Sequence, residues 1–249
     1  MVVDLERALS LDGVSVDYHI FQRKRKWSLG GIEVFTALED ITFDVEPGEI
    51  VAVLGKNGSG KTTLLRAIGG HLRVSKGCIK TNGKVYTLSG ANPGLAPDLS
   101  GKENVRLLSE VYGVPEDMRL EFENEVEEFC DLGEAYYRRY KTLSTGMAGR
   151  VGFGFTTSLD PEILLMDETL GVGDEEFRKK AEAKAKEFME RGETILLSTH
   201  SLGLAKKMCS RGIVLDSGRV SYDGDISEAI KRYLEIVNRT REGDEENDK

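Results

Sequence analysis

The sequence predicts an α/β protein in which helices cover a mostly parallel β-sheet, with an antiparallel β lobe at the N-terminus and an inserted helical subdomain. Four short apolar runs have the length and composition of buried parallel strands: 49–55, 162–168, 193–200 and 212–218. Helical patterns adjoin all but the last of these runs, as βαβ units require. Before the first run, residues 8–21 and 35–49 alternate apolar and polar side chains like antiparallel strands.

Two further segments complete the expected organisation. Residues 78–88 predict a hairpin that turns on Asn82-Gly83, an Asn-Gly pair typical of tight hairpin turns. The helical subdomain spans about residues 92–159, where apolar residues recur at helical spacing: Met118, Phe122, Val126, Phe129 and Leu132. We expect residues 241–249 to be a charged, disordered tail.

Composition excludes several classes of protein. The net charge of −9 argues against a general nucleic-acid binder, because neutralising phosphates requires a basic face. No window has the roughly eighteen consecutive apolar residues of a membrane span, and the three cysteines form no CxxC pair. We therefore expect a cytosolic chain with reduced thiols. The basic stretch 22–27 is interpreted as a solvated loop, or alternatively as a contact for an anionic membrane surface or lipid phosphate.

The segment GKNGSGKT (55–62) follows an apolar run and precedes a helical pattern, which is the context of a phosphate-binding P-loop. Its glycines let backbone N–H groups surround phosphate oxygens, Lys61 supplies a positive charge, and Thr62 offers a hydroxyl to Mg²⁺. The residues that we assign to nucleotide binding here are Gly55, Lys56, Asn57, Gly58, Ser59, Gly60, Lys61, Thr62 and Thr63.

Polar residues at the ends of two other predicted strands add to this site. Asp167 is interpreted as the second Mg²⁺ partner and Glu168 as the base that polarises the attacking water, with a solvated strand-end acid as the alternative for Glu168. His200 ends another strand. Because ligands bind at the carboxyl ends of parallel strands, we favour a γ-phosphate contact for His200 over packing or simple exposure.

With these motifs in this order, the chain resembles the ATP-binding cassette (ABC) ATPases over about residues 8–237. The signature-like LSTGM (143–147) and the D-loop-like LGVGD, which ends in Asp174, complete the pattern. The resemblance implies a P-loop NTPase fold of the ABC type, with residues 1–240 as a single nucleotide-binding domain. It also implies ATP and Mg²⁺ as cofactors and ATPase activity.

The resemblance assigns further nucleotide contacts. It implies that Ser144 and Gly146 bind the γ-phosphate of ATP held by another subunit, so that a head-to-tail homodimer forms two identical sites. Tyr18 resembles the aromatic residue that stacks on adenine, with a core tyrosine as the alternative, and Phe21 or Trp27 could substitute for it. Asp174 is included as the D-loop residue.

Departures from the common pattern point to a subfamily. Thr145 and Met147 replace the usual glycine and glutamine of the signature, and the glutamine expected near Ala91 is absent, with Asn92 beside the gap. GLAPDLSGKENV, the SxGM signature and LLMDETLGVGDEEF are similar to ATPase subunits that export O-antigen, capsule or teichoic acid. This implies a separate membrane permease, a lipid-linked polysaccharide as cargo, and a place on the inner face of the cytoplasmic membrane.

Two alternatives share the catalytic residues. One is the ATPase subunit of another ABC importer or drug exporter, which differs only in its permease. The other is a soluble ABC-type ATPase acting on nucleic acid or ribosomes, which the acidic composition and the single cassette disfavour.

Overall fold

The structure is a computed structural model that describes residues 7–22, 31–89, 94–167 and 175–247. Its strands are β1 (Leu9–Gln22), β2 (Gly31–Val45), β3 (Ile50–Leu54), β4 (Lys76–Thr81), β5 (Val85–Ser89), β6 (Ile163–Asp167), β7 (Thr194–Ser198), β8 (Arg211–Asp216) and β9 (Arg219–Asp225). Its helices are α1 (Lys61–Ile68), α2 (Gly101–Val111), α3 (Arg119–Cys130), α4 (Thr145–Ser158), α5 (Glu175–Glu190), α6 (Leu202–Met208) and α7 (Ile226–Asn247), with 3₁₀ turns at Gly133–Tyr137 and Tyr140–Thr142.

The chain divides into two units, of which the first comprises residues 1–83 and 194–249. It contains the antiparallel sheet β2-β1-β4 and the strands β7-β3-β8-β9, in that order. Within the second group, β3 pairs in parallel with both β7 and β8, and β9 closes the edge antiparallel to β8. Strands β3 and β7 are buried on both faces, which explains why their sequences are continuously apolar. The predicted antiparallel lobe and parallel core strands are confirmed.

The second unit, residues 84–193, contains the parallel pair β5 and β6 and the helices α2 to α5. Helices α2, α3 and α4 share a core in which Phe122 of α3 and Phe155 of α4 meet edge to face, with ring centroids 5.5 Å apart. Gly154 brings α3 and α4 close together, because a Cβ at this position would lie 3.0 Å from the Cys130 sulfur. The predicted helical insertion is present, while its bounds and the assignment of residues 1–240 to one domain remain predictions.

The predicted hairpin over residues 78–88 is wrong. β4 pairs with β1 in the first unit, whereas β5 pairs in parallel with β6 in the second. A two-residue type I′ turn needs positive φ at both central residues, but only Gly83 of the Asn82-Gly83 pair has it. The Asn82-Gly83 turn therefore does not pair β4 with β5, and each of these strands pairs with a strand from another part of the sequence.

The predicted apolar stripe of the helical subdomain needs correction at its two ends. Phe122 and Val126 are buried, but Met118 precedes the first residue of α3 and is 54% exposed. At the other end, α3 stops at Cys130 because Asp131 adopts a left-handed conformation with φ 49°. Leu132 consequently lies beyond the helix, although it still packs against the same core.

The C-terminal residues also differ from expectation. Helix α7 continues to Asn247, so residues 241–247 are helical and not a disordered tail. No proline interrupts this segment and glutamate is a good helix former, so the helix that begins at Ile226 can propagate into it. Within the described residues, none of the helices is both long enough and apolar enough to cross a membrane.

One partly buried acid in the second unit has an unusual environment. Glu193 lies between α5 and β7, and its Oε2 is buried without a hydrogen-bond partner in the described part of the chain. Burial, and next the nearby charge of Asp160, raise the pKa of Glu193 to about 7. The Arg191 guanidinium, which forms an ion pair with Asp160 at 2.9 Å, lowers the pKa of Glu193 less than these two causes raise it.

We predict that Glu193→Gln makes the protein more stable above pH 7. The folded-state pKa lies above the unfolded value, so the contribution of Glu193 to stability is most favourable below pH 4.5 and is lost as the pH rises through about 7. After a discount for partial exposure, the gain at pH 8 is about 1 kcal/mol. Thermal unfolding between pH 5 and 8 measures it. The exposed Glu190→Gln is the control, and equal pH dependence of Glu193→Gln and wild type would contradict the assignment.

Candidate nucleotide-binding site

The predicted P-loop connects β3 to α1 in the first unit and has the backbone that its glycines permit. Gly58 and Gly60 have φ values of +80° and +107°, which other residues rarely adopt. At Gly55, a Cβ would lie 2.3 Å from Ser59 Oγ and 2.7 Å from the Leu215 carbonyl oxygen. The tight turn around Ser59 therefore has no room for a side chain at position 55.

Lys61 closes this loop from inside. Its Nζ donates hydrogen bonds to the carbonyl oxygens of Gly55 at 2.7 Å and of Lys56 at 3.0 Å, and its side chain is almost fully buried. An ammonium group held across both ends of a loop stabilises the curled backbone and also concentrates positive charge there. The structure thus brings Gly55, Lys56 and Lys61 together, and their contacts with a nucleotide stay predictions.

Three features of the loop fit a phosphate group. Helix α1 begins at Lys61 with Gly60 as its N-cap, and neither a capping side chain nor an acidic residue neutralises its positive end. The exposed Gly58 has open space within 4 Å of where a Cβ would stand. Ser59 Oγ is buried without a partner among the described residues. Unsatisfied donors and a positive helix end suit an anionic ligand.

His200 lies at the same edge of the strands as the P-loop. In the parallel register, Val53 of β3 pairs with Ser198 of β7, so Gly55 and His200 each follow two residues later. The His200 side chain is exposed, and the next residue, Ser201, caps α6 through its hydroxyl. The topology therefore agrees with a contact to a bound phosphate, which remains a proposal.

Tyr18 of β1 is half buried, and its hydroxyl lies 3.4 Å from the hydroxyl of Thr63 in α1. This contact places the aromatic side chain beside the beginning of the P-loop helix. Stacking on adenine and the alternative of a core tyrosine both stay predictions for Tyr18. The side chain of Phe21 and the whole of Trp27 lie outside the described residues.

The Mg²⁺ ligands that we predict come from different units. Thr62 is exposed in the first turn of α1, and Asp167 is the half-buried last residue of β6 in the second unit. A hydroxyl and a carboxylate are the oxygen ligands that Mg²⁺ prefers. Their chemistry fits the ion, and their joint action at one site remains a proposal.

Ser144 is the N-cap of α4 in the second unit. Its Oγ accepts a hydrogen bond from the Met147 N–H at 3.2 Å, and its side chain is exposed. The first turn of α4 contains no acidic residue. Ser144 and Gly146 therefore lie at an exposed positive helix end, which is suited to receive an anion from outside the chain.

Several predicted positions lie outside the described residues. These are Glu168, Asp174, Ala91 with Asn92, and residues 23–27 of the basic stretch. Their roles remain predictions from the sequence.

Comparison with known proteins identifies the family of the chain. The sequence profile of the ABC transporter family matches residues 38–171, which is more than half of the 249 residues. The chain belongs to the ABC transporter family. In agreement with this membership, the fold of the ABC protein resembles that of an ATP-binding subunit of an ABC transporter, with a TM-score of 0.73. The two sequences are 25% identical, and the superposition covers 91% of this chain and 93% of the other. A dimeric ATP-binding cassette bound to ADP and Pi has the same TM-score at 23% identity, over 88% of this chain and 98% of that chain, which supports the fold.

Relatives of this ABC protein carry export names. The O-antigen export system ATP-binding protein RfbB of Klebsiella pneumoniae is 34% identical over 88% of this chain and 89% of its own length. The teichoic acids export ATP-binding protein TagH of Bacillus anthracis is 38% identical over 83% of this chain, and RfbB of Myxococcus xanthus is 37% identical over 82%. The chain spans only 38% and 47%, respectively, of the length of these last two relatives.

The sequence interpretation of this ABC protein missed one part of the site. Ser217 and Gly218 form the turn between β8 and β9, and this turn hydrogen-bonds to the P-loop at Ser59. A Ser-Gly pair between two apolar segments is a turn signal that could have indicated the hairpin. Its contact with the P-loop could not be read from the sequence.

Proposed function

We propose that this chain is the ATP-hydrolysing subunit of an ABC exporter that moves a lipid-linked polysaccharide across the cytoplasmic membrane. The observation that carries the proposal is the P-loop, in which buried Lys61 bridges the Gly55 and Lys56 carbonyls at the uncapped end of α1. The export of O-antigen and teichoic acid named for the relatives favours polysaccharide over the cargo of importers or drug exporters.

In this proposal, separate residues of the chain bind the nucleotide, hold Mg²⁺ and catalyse hydrolysis. The P-loop amides and Lys61 bind the phosphates, Thr62 and Asp167 hold Mg²⁺, and Tyr18 orients the base. Glu168 accepts a proton from the attacking water, and His200 contacts the γ-phosphate. When bound, ATP with Mg²⁺ supplies the phosphoanhydride bond whose hydrolysis provides the free energy for transport.

The exposed start of α4 supports a homodimer as part of this proposal. Ser144 and Gly146 would seal the nucleotide held by the other protomer, and Asp174 would lie at the same junction. A separate membrane permease would bind the dimer and hold it at the inner face of the cytoplasmic membrane.

The cargo can be tested with the chain purified from membranes together with its associated permease. ATPase activity is measured with lipid-linked O-antigen, capsule or teichoic acid precursors in lipid nanodiscs. Stimulation by one glycan supports the proposal. An active complex that ignores every glycan but responds to another transported solute would refute polysaccharide export, and a complex without ATPase activity would refute the enzymatic function.

We predict that Ser144→Arg prevents ATP-driven dimerisation while a monomer still binds nucleotide. The large side chain would fill the space in which a serine and a glycine let the helix end approach a phosphate. We expect dimerisation to weaken at least about tenfold, equal to about 1.4 kcal/mol. Light scattering with MgATP in a Glu168→Gln background measures it. Ser227→Arg, on the exposed first turn of α7, is the control, and normal dimerisation of Ser144→Arg would refute the cross-subunit contact.

A further inference from the structure

The turn between β8 and β9 has a strained backbone. Asp216 pairs with Arg219, which leaves Ser217 and Gly218 as a two-residue loop. Both have positive φ, 49° and 79°, as a type I′ turn requires. Serine seldom adopts this conformation, since its Cβ approaches the backbone. The fold therefore holds this turn in one defined shape.

This turn is hydrogen-bonded on both sides. The Gly218 N–H donates to the Ser59 carbonyl of the P-loop at 3.1 Å, and the Gly218 carbonyl accepts from the Glu39 N–H of β2 at 2.8 Å. Beside these bonds, Arg219 forms an ion pair with Glu39 at 2.5 Å. One glycine thus connects the P-loop to the antiparallel lobe within the first unit.

A β-bulge makes the second of these bonds possible. Along β1 and β2, Val14 pairs with Ile41 and Val16 with Leu38, so that Glu39 and Asp40 together oppose Ser15. The extra residue removes the Glu39 N–H from the hydrogen-bond ladder between β1 and β2. The Glu39 N–H donates to the Gly218 carbonyl instead. Bulges commonly redirect a backbone group next to a functional site.

The three segments also approach too closely for side chains. A Cβ at Gly218 would lie 2.7 Å from the Ala37 carbonyl oxygen. A Cβ at Gly60 would lie 3.0 Å from the same oxygen and 2.7 Å from Leu38 Cδ2. The backbone atoms of Ala37 cannot move aside in the way that the end of a flexible side chain can.

We propose that Gly218 is a positioning residue for nucleotide binding, an inference that rests on the proposed function. The β8–β9 turn holds the Ser59 carbonyl and the Gly60 N-cap in place, so that the amides at the start of α1 point in the direction a phosphate needs. Gly218 does not itself touch the nucleotide. It acts through the P-loop.

The test compares Gly218→Ala with Gly192→Ala. Gly192 has nearly the same φ, +77°, but no atom lies within 4 Å of the place that an added methyl group would take, so this variant reproduces the backbone strain without the contact. We expect Gly218→Ala to bind a fluorescent ADP analogue about 10- to 100-fold more weakly than wild type, as the loss of a hydrogen bond between a P-loop amide and a phosphate would do. Gly192→Ala should bind like wild type, although the strain at its positive φ lowers thermal stability in the absence of nucleotide.

Different outcomes separate this inference from the proposed function. If wild type binds the analogue and folded Gly218→Ala binds equally well, the positioning role is refuted and the function stands. Equal losses in Gly218→Ala and Gly192→Ala would also refute it, because strain alone would explain both. If wild type does not bind nucleotide, the proposed function and this inference both fail.

A measurement on wild type covers the case in which Gly218→Ala does not fold. Hydrogen exchange followed by NMR reports the Gly218 and Glu39 amides directly. Nucleotide should slow exchange at both, because it orders the P-loop to which this chain of hydrogen bonds leads. Unchanged exchange at Gly218 and Glu39, together with protection of the P-loop amides, would overturn the proposal.

Discussion

Glu168→Gln should abolish most ATP hydrolysis while leaving ATP binding intact. Glutamine keeps the size of the side chain but cannot accept the proton of the attacking water, and loss of a general base lowers a rate by about two to four orders of magnitude. In the sequence Glu168 directly follows Asp167, the last residue of β6 and a proposed Mg²⁺ ligand. Single-turnover hydrolysis of radiolabelled ATP measures the chemical step.

Controls for Glu168→Gln separate chemistry from binding. The variant should retain wild-type affinity for ATP, since Glu168 is not proposed to bind the phosphates. Glu235→Gln, which alters an exposed acid on α7, should hydrolyse ATP at the wild-type rate. Near-normal turnover by Glu168→Gln would exclude Glu168 as the base, and the search would move to another group at the same strand end.

Lys61→Met should cause the largest loss of nucleotide affinity. Methionine fills the buried volume but removes the charge and both hydrogen bonds to the Gly55 and Lys56 carbonyls. A hydrogen bond from the Lys61 ammonium to a phosphate oxygen would contribute about 1.5–3 kcal/mol, so its loss corresponds to an increase in Kd of about 10- to 150-fold. Isothermal titration with ATP and with ADP measures the change.

The matched control for Lys61→Met is Lys80→Met, which removes an exposed cation from β4. It leaves the same net charge as Lys61→Met, so any general electrostatic effect on an anionic ligand is common to both variants. Only Lys61→Met should lose affinity. Equal affinities for the two variants would show that Lys61 only closes the loop and does not bind the phosphates.

The P-loop was predictable because its causes are local, and the cap of α4 has an equally local cause. Gly58 and Gly60 supply the backbone conformations, Lys61 reaches carbonyls only five and six residues away, and Ser144 caps the helix that follows it. Such interactions depend on spacing along the chain, which the sequence states directly. The parallel register then places His200 at the edge that the strand pattern predicts.

Predictions from the sequence were wrong where the pairing of a strand or the burial of a helix depends on segments that are distant along the chain. The Asn82-Gly83 pair indicated a hairpin, but β4 and β5 found partners in different units. Met118 has the spacing of a core residue and is exposed, because α3 begins one residue later and its core contact starts with Phe122. The spacing of apolar residues shows which face of a helix is buried, but it does not show at which residue the buried part begins.

By itself the sequence determined which residues are candidates for the chemistry: a loop with the pattern of a phosphate site, acids and a histidine after predicted strands, and a signature serine. Only the tertiary structure decided what supports that chemistry. The β8–β9 turn holds the P-loop through Gly218, and a bulge in β2 holds the turn. The physical reason is that these are backbone contacts between distant segments, which leave almost no trace in residue type beyond a glycine.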